Sequence, residues 1–331
     1  MKRFLKTIFF SGTVVVVLIV AGFSLIRVTP AKQITWGVDF SQKHAQNFSL
    51  DWQEVYLAIL EDLRVKNLKI STAWDLLEPK ENEYSFFDLD WQLEQAQNHG
   101  AKTILVIGMK TPRWPECHLP NWAKTLSEQE QQNRVLELLK QIVLRYRDNQ
   151  AIFAWQVENE PLFYFGDCPK PDISFLKKEI ALVKSLDFRP VIISDSGEQS
   201  FWLKPAKLGD IVGTTMYRRV WSTKLNRYID YPLSPSFYAF RRWIIEKLFH
   251  KKIVCVELQT EPWGKKLLYD IPVSEQLELF DTAKFIDNIE FAKNTGFDTF
   301  YFWGGEWWYW LKKHGNDSFW QLAKDVIKSS I

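Results

Sequence analysis

The run WQVENEPLF, residues 155–163, places Glu158, Asn159 and Glu160 between an apolar stretch and Pro161. In IVCVELQTEPW, Glu257 directly follows an apolar run and Glu261 comes four residues later. Glycosidic bond cleavage needs two such groups: one carboxylic acid to protonate the leaving oxygen and one carboxylate to attack the sugar or activate water. Metal-assisted hydrolysis reads poorly, because the chain has five histidines and no ligand-type pair of them. Taken alone, Asn-Glu-Pro also reads as a helix start with Asn as N-cap. The placement of the two runs in the fold has to decide.

Short apolar runs alternate with longer amphipathic segments from about residue 33 onward. ITWGVDF, NLKIST, KTILVIG, IFAWQVE, PVIISD, DIVGTTMY, KIVCVEL and DTFYFWG read as strands. Helices are expected near 51–65, 87–99, 126–147, 173–186, 198–206, 235–249, 276–294 and 316–330. No Gly-rich phosphate loop follows the first strand, which disfavours a dinucleotide fold. Eight strands and eight helices in strict alternation predict an α/β chain folded as a single (β/α)8 TIM barrel over 33–331.

In such a barrel the C-terminal strand ends carry the chemistry. Those ends present Asp39, then Trp74, then Lys110 with Arg113 and Trp114, Asn159-Glu160, Asp195, Tyr217, Glu257 and Trp303. Strands four and seven lie on opposite sides of the mouth. That placement suits Glu160 and Glu257 as a pair, one the acid and one the nucleophile, at the separation of about 5–5.5 Å that retention requires. Glu257 ranks above Glu261 because the strand delivers it at its end; Glu261 is expected to bind a sugar hydroxyl. Asn159 is expected to bond a hydroxyl beside the reacting carbon, and Tyr217 to donate to Glu257. Trp303 offers an apolar wall. Glu158 is expected to support the strand end, and Lys110 and Arg113 to pair with loop carboxylates.

A formal net charge of +2 gives no field for nucleic acid. The 16 Trp point either to sugar-stacking platforms or to an aromatic core. Trp36, Trp74, Trp114, Trp263, Trp307 and Trp308 are the candidate platforms, with Glu306 and Trp307 ranked first because GGEWWYWLKKHG is too aromatic for a surface loop. Basic MKRFLK precedes about 20 uncharged residues, which predicts a signal anchor or signal peptide over 1–30 and an exported domain beyond it. In an exported protein, Cys117 and Cys168, in loops after neighbouring strands, are expected to form a disulfide, with Cys255 a buried thiol. The expected partners are an oligo- or polysaccharide and, through the N-terminal segment, a membrane. No cofactor, metal or obligate protein partner is implied.

With these residues in place, the chain resembles the retaining glycoside hydrolases of the large (β/α)8 clan that includes cellulases, mannanases and many β-galactosidases. The resemblance rests on Asn159-Glu160, on Glu257 in IVCVELQTEPW, on Tyr217 and Trp303, and on the W-x-x-x-E-P pattern within STAWDLLEPKENEYSFFD. It implies a covalent glycosyl-enzyme route for a β-linked sugar, with Glu160 as acid/base and Glu257 as nucleophile. The clan's strand-two arginine is replaced here by Lys69, a point charge in place of a bidentate fork, as support for the nucleophile. The same site would serve a transglycosylase, and a barrel that binds glycans without turnover is the rival from another class.

Overall fold

The structure is a computed structural model that describes residues 28–329. Most of the segment expected as a signal anchor lies outside the described residues. Among those described, no helix is long and apolar enough to cross a membrane.

Eight parallel strands close on themselves, as the alternation predicts. They are β1 (Thr35–Phe40), β2 (Asn67–Ser71), β3 (Lys102–Ile107), β4 (Ile152–Val157), β5 (Val191–Asp195) and β6 (Ile211–Met216). After an antiparallel hairpin of β7 (Arg219–Ser222) and β8 (Arg227–Asp230) outside the barrel come β9 (Lys252–Gln259) and β10 (Thr299–Trp303). β10 pairs back onto β1, from Thr35 opposite Thr299 to Val38 opposite Phe302.

Side chains alternate between two apolar shells. Ile104, Ala154, Ile192, Val254, Val256 and Tyr301 cluster inside the barrel. Their neighbours Leu105, Trp155, Ile193 and Cys255 pack outward against the helices. Helix starts follow capping chemistry. Helix α1 (Gln42–Asn47) is capped by Ser41, and α2 (Trp52–Glu61) by Asp51, which accepts from Gln53 and Glu54 N–H. A short α3 (Trp74–Leu77) and α4 (Phe87–Asn98) follow. Helix α5 (Glu128–Tyr146) opens on a Ser127–Glu130 capping box and buries Val135, Leu138, Leu139, Ile142, Val143 and Tyr146 along one face.

Later helices depart from the periodicity. After α6 (Ile173–Leu186), the helix expected over 198–206 is α7 (Leu203–Leu208). Ser196 Oγ accepts from Glu198 and Gln199 N–H in a turn, and Trp202 takes φ 60°, so the helix starts late. Helix α8 (Pro235–Phe249) matches its expected span. The helix expected over 276–294 is two, α9 (Val273–Leu279) and α10 (Thr282–Lys293), because Asp281 caps the second by accepting from Lys284 N–H. GGEWWYWLKKHG is itself a helix, α11 (Gly305–Lys313), and α12 (Ser318–Lys328) ends the described chain.

Cys117 and Cys168 form the expected disulfide, with Cα atoms 5.3 Å apart. It ties the loop after β3 to the loop after β4. The two loops also touch at Gly166, where a Cβ would meet Glu116 Cβ at 2.6 Å and φ is +83°. Closing a loop of sequence separation 51 restricts the unfolded chain. Replacing both cysteines by serine should therefore lower unfolding stability by about 3–4 kcal/mol. Denaturant melts of the oxidised protein and the double variant check this; coincident melts would refute it.

Candidate active site

Strand β4 ends at Val157, and the next three residues turn sharply, with φ +59° at Glu158 and +42° at Glu160. Left-handed backbone at two non-glycine residues in three costs about 1–2 kcal/mol each, so the surroundings must hold it. Glu158 does so by folding back under β3. Its carboxylate accepts from Met109 N–H at 2.8 Å and Lys110 N–H at 2.5 Å. Gly108 makes room, since a Cβ there would lie 2.2 Å from Glu158 Oε1. Glu158 thus has the supporting place the sequence assigns it. Lys110, expected to pair with loop carboxylates, instead donates to the carbonyls of Glu160 and Phe163 at 3.0 and 2.8 Å. A turn this tight leaves inward-facing carbonyls that need donors.

Glu160 N–H donates to Ser194 Oγ at 2.9 Å, and Thr215 Oγ1 donates to Glu160 Oε1 at 3.3 Å. No cation pairs with the Glu160 carboxyl among the described residues. Burial pushes its pKa well above the carboxylate range and the charge of Glu257 adds to the rise, against Lys110. Asn159 Oδ1 accepts from Gln156 Nε2 at 3.2 Å, while its Nδ2 donates to Glu116 Oε2 at 3.2 Å.

Glu257 reaches the mouth through a register slip. Cys255 and Leu258 both face outward, so strict alternation would turn Glu257 outward with Cys255. The pairing shifts on both sides of β9, between Thr214 and Thr215 on β6 and between Phe300 and Phe302 on β10. The extra residue turns Glu257 into the barrel. There Lys69 Nζ donates to Oε1 at 3.0 Å and the Tyr217 hydroxyl donates to Oε2 at 2.8 Å. Lys69 is wholly buried and also lies 3.0 Å from Asp39 Oδ1. Burial opposes its charge, but Asp39 and Glu257 more than offset that, and the ammonium stays protonated.

Arg113 crosses the mouth from the β3 loop. It pairs with Glu261, and with Glu306 at 3.1 Å, and its guanidinium lies 3.6 Å from the Trp303 ring centre. One face of Trp303 is thus occupied by a cation, and Trp303 is only 6% exposed. Glu306 is fully buried and accepts from Ser41 N–H at 2.5 Å, so it braces Arg113 rather than facing a sugar. A groove of about 730 Å³ opens beside this bridge, lined by Arg113, Trp114, Glu116, Phe165, Glu261, Trp263 and Trp303 among others. Trp263 meets Tyr217 edge-on at 5.1 Å and so links the groove to the nucleophile's partner.

Four tryptophans expected as platforms fill the core instead. Trp36 stacks on Phe302 at 5.0 Å. Trp74 is fully buried with its indole N–H on Glu78. Trp307 bonds Gln276 and packs on Phe319, and Trp308 donates to the Thr260 carbonyl. The amphipathic face of α11 turns these last two inward, which an aromatic run read as a loop could not indicate. Trp114, 44% exposed, does face the groove. Trp114→Ala should raise KM for an oligosaccharide about tenfold at unchanged kcat; steady-state kinetics on chains of increasing length check it, and a fall in kcat alone would refute a platform role.

Asp195 accepts from the Ser200 hydroxyl at 2.5 Å and from Ser196 N–H at 3.0 Å, which makes it a turn-binding residue. Sequence reasoning missed Glu116 and Glu198. Glu116 follows a cis Trp114-Pro115 bond, and its pKa is pushed up to about 7, chiefly by burial. Glu198 accepts from Tyr217 N–H at 2.7 Å and from the Tyr238 hydroxyl at 3.1 Å. Both lie in loops without periodicity; the positive φ at Glu116 is visible only in three dimensions.

Known proteins resemble this chain in two ways. Two curated proteins of Lactobacillus acidophilus match part of it. Beta-galactosidase LacA is 27% identical over 208 residues, 55% of this chain and 30% of that protein. Beta-galactosidase LacZ is 31% identical over 115 residues, 29% of this chain and 16% of that protein. The chain thus spans less than a third of the length of either. Among solved structures, a GH5_18 protein from Bifidobacterium longum superposes with a TM-score of 0.58 at 11% identity, over 82% of this chain and 70% of that one. Xylanase 10B from Thermotoga petrophila gives 0.53 at 17% identity, over 82% of each chain. At such identities these structures share the fold. The profile of Glyco_hydro_42, described as beta-galactosidase, matches residues 47–232, more than half of the sequence and inclusive of Asn159, Glu160 and Tyr217. With that match over a closed (β/α)8 barrel, the chain belongs to the Glyco_hydro_42 family of glycoside hydrolases, within the clan its strand-end residues resemble.

Proposed function

We propose that this protein is a retaining β-glycosidase, with Glu160 as acid/base and Glu257 as nucleophile. The observation that carries the reading is the unlike treatment of two carboxyls at one barrel mouth. Glu257 receives two aligned donors, Lys69 on Oε1 and Tyr217 on Oε2. Glu160 is buried, has only a hydroxyl on its carboxyl, and favours its proton. Such a split supports Glu160 as the acid and Glu257 as the nucleophile. In the first step Glu257 attacks the anomeric carbon while Glu160 gives its proton to the leaving oxygen. In the second, Glu160 takes a proton from water, which displaces Glu257. The family and the two lactobacillus relatives make β-galactosides the first substrate class to test.

Aryl β-galactosides, and aryl glycosides of other β-linked sugars, should be cleaved with the β-anomer appearing first in proton NMR. An initial α-anomer would refute retention. The same spectra, with an added sugar acceptor, read transfer against hydrolysis. The Cys117–Cys168 disulfide and the uncharged N-terminal run support a place outside the cytoplasm.

A further inference from the structure

Lys69 stands between two carboxyls. Its Nζ lies 3.0 Å from Glu257 Oε1 and 3.0 Å from Asp39 Oδ1, and none of the three side chains is more than 3% exposed. Asp39 and Lys69 are direct partners across the β1–β2 register. One buried cation cannot neutralise two buried anions, and an uncompensated buried charge is costly enough that a group takes up a proton instead.

The bonding decides which carboxyl does so. Glu257 accepts aligned hydrogen bonds from Lys69 and Tyr217. Asp39 has Lys69 beside Oδ1 at 3.0 Å, poorly aligned for a hydrogen bond, and no second donor on Oδ2. The other ionisable groups near Asp39 do not change the balance. Arg113, from the β3 loop, is already shared by Glu261 and Glu306. Tyr301 on β10 and Cys255 on β9 are buried and have their own pKa values raised, chiefly by that burial. Burial likewise holds Asp39 well above the carboxylate range, against Lys69 and with Glu257 adding to the rise.

We propose that Asp39 is a positioning residue for the nucleophile: it keeps its proton and so leaves the charge of Lys69 to Glu257 alone. The inference rests on the reading of Glu257 as nucleophile. A single lysine can then do what a forked guanidinium does by geometry, because its other anionic neighbour is neutral. Asp39 touches neither the sugar nor the leaving group in this role. It acts through Lys69.

The test compares wild type with Asp39→Asn, Asp39→Ala and Glu257→Gln on an aryl β-galactoside, with the infrared spectrum of the carboxyl region read alongside. Asn is a neutral isostere, so Asp39→Asn should keep kcat/KM within about threefold of wild type, while Asp39→Ala, which frees Lys69 to move, loses about 30-fold. The wild-type spectrum at neutral pH should contain a protonated-carboxyl band that Asp39→Asn lacks. A loss in Asp39→Asn as large as in Glu257→Gln, or no such band, overturns the proposal. If Glu257→Gln itself stays active, the nucleophile reading falls and takes this inference with it. If Glu257→Gln is inactive and Asp39→Asn is too, the inference alone falls. Should Asp39→Asn fail to fold, carbon-13 NMR of aspartate-labelled wild type reads the proton directly.

Discussion

Glu257→Gln should lower kcat about 10⁴-fold or more, the largest effect expected of any single change here. The amide keeps the shape and can still meet Lys69 and Tyr217, but it cannot form a glycosyl ester. The loss therefore reads chemistry rather than folding. With residue 257 neutral, Asp39, 3.0 Å from Lys69, can release its proton and take over the charge of the buried cation. A melt close to wild type is the expected control. A 2-fluoro glycoside should label wild type at Glu257, one sugar per chain by mass spectrometry, and leave the variant unlabelled. Full activity in the variant would sink the assignment, and a label on Glu261 would move the nucleophile to the loop. The geometry opposes that move, because one Glu261 oxygen already pairs with Arg113 and the other lies 3.7 Å from His44 Nε2.

Glu160→Gln should cost about 10²–10⁴-fold on substrates with poor leaving groups, the range for a general acid, and much less when the leaving group needs no proton. The second step then becomes limiting, and aryl glycosides with good leaving groups should show a burst. Azide should rescue this variant by entering from the face that water uses, giving a β-glycosyl azide. A uniform loss across leaving groups, without rescue, would refute the role. The pH profile follows from the same burial. The protonated acid is the working form, so activity holds below the raised pKa of Glu160 and is lost as pH rises through it. Glu160→Gln should flatten that alkaline limb. Glu116, whose pKa burial pushes up to about 7 beside Asn159, would leave a limb of its own if it controlled the profile.

Much of the architecture was legible in the residue pattern. Apolar runs of strand length, alternating with amphipathic segments, can bury both faces of a sheet only when helices cover it outside and side chains fill it inside. That local rule, repeated eight times, placed the strand ends, and with them Asn159-Glu160, Tyr217 and Glu257. Cysteines in loops after neighbouring strands could meet for the same reason. Boundaries moved where capping chemistry competed with periodicity, as at Ser196 and Asp281.

The inward turn of Glu257 was different. A strict count along KIVCVEL sends Glu257 outward with Cys255, and only the register slip against β6 and β10 brings it to Lys69. A bulge depends on what two neighbouring strands require at once, and no single strand encodes it. The tryptophans divide the same way. Trp114 and Trp307 are the same residue type, yet one faces the groove and the other packs on Phe319. The sequence by itself determined the barrel and the order of the chemical groups at its strand ends, because those follow from local periodicity. The tertiary structure alone decided which donors meet Glu257, that no cation meets Glu160 and which face of Trp303 is open, because burial and charge pairing arise between segments far apart in the chain.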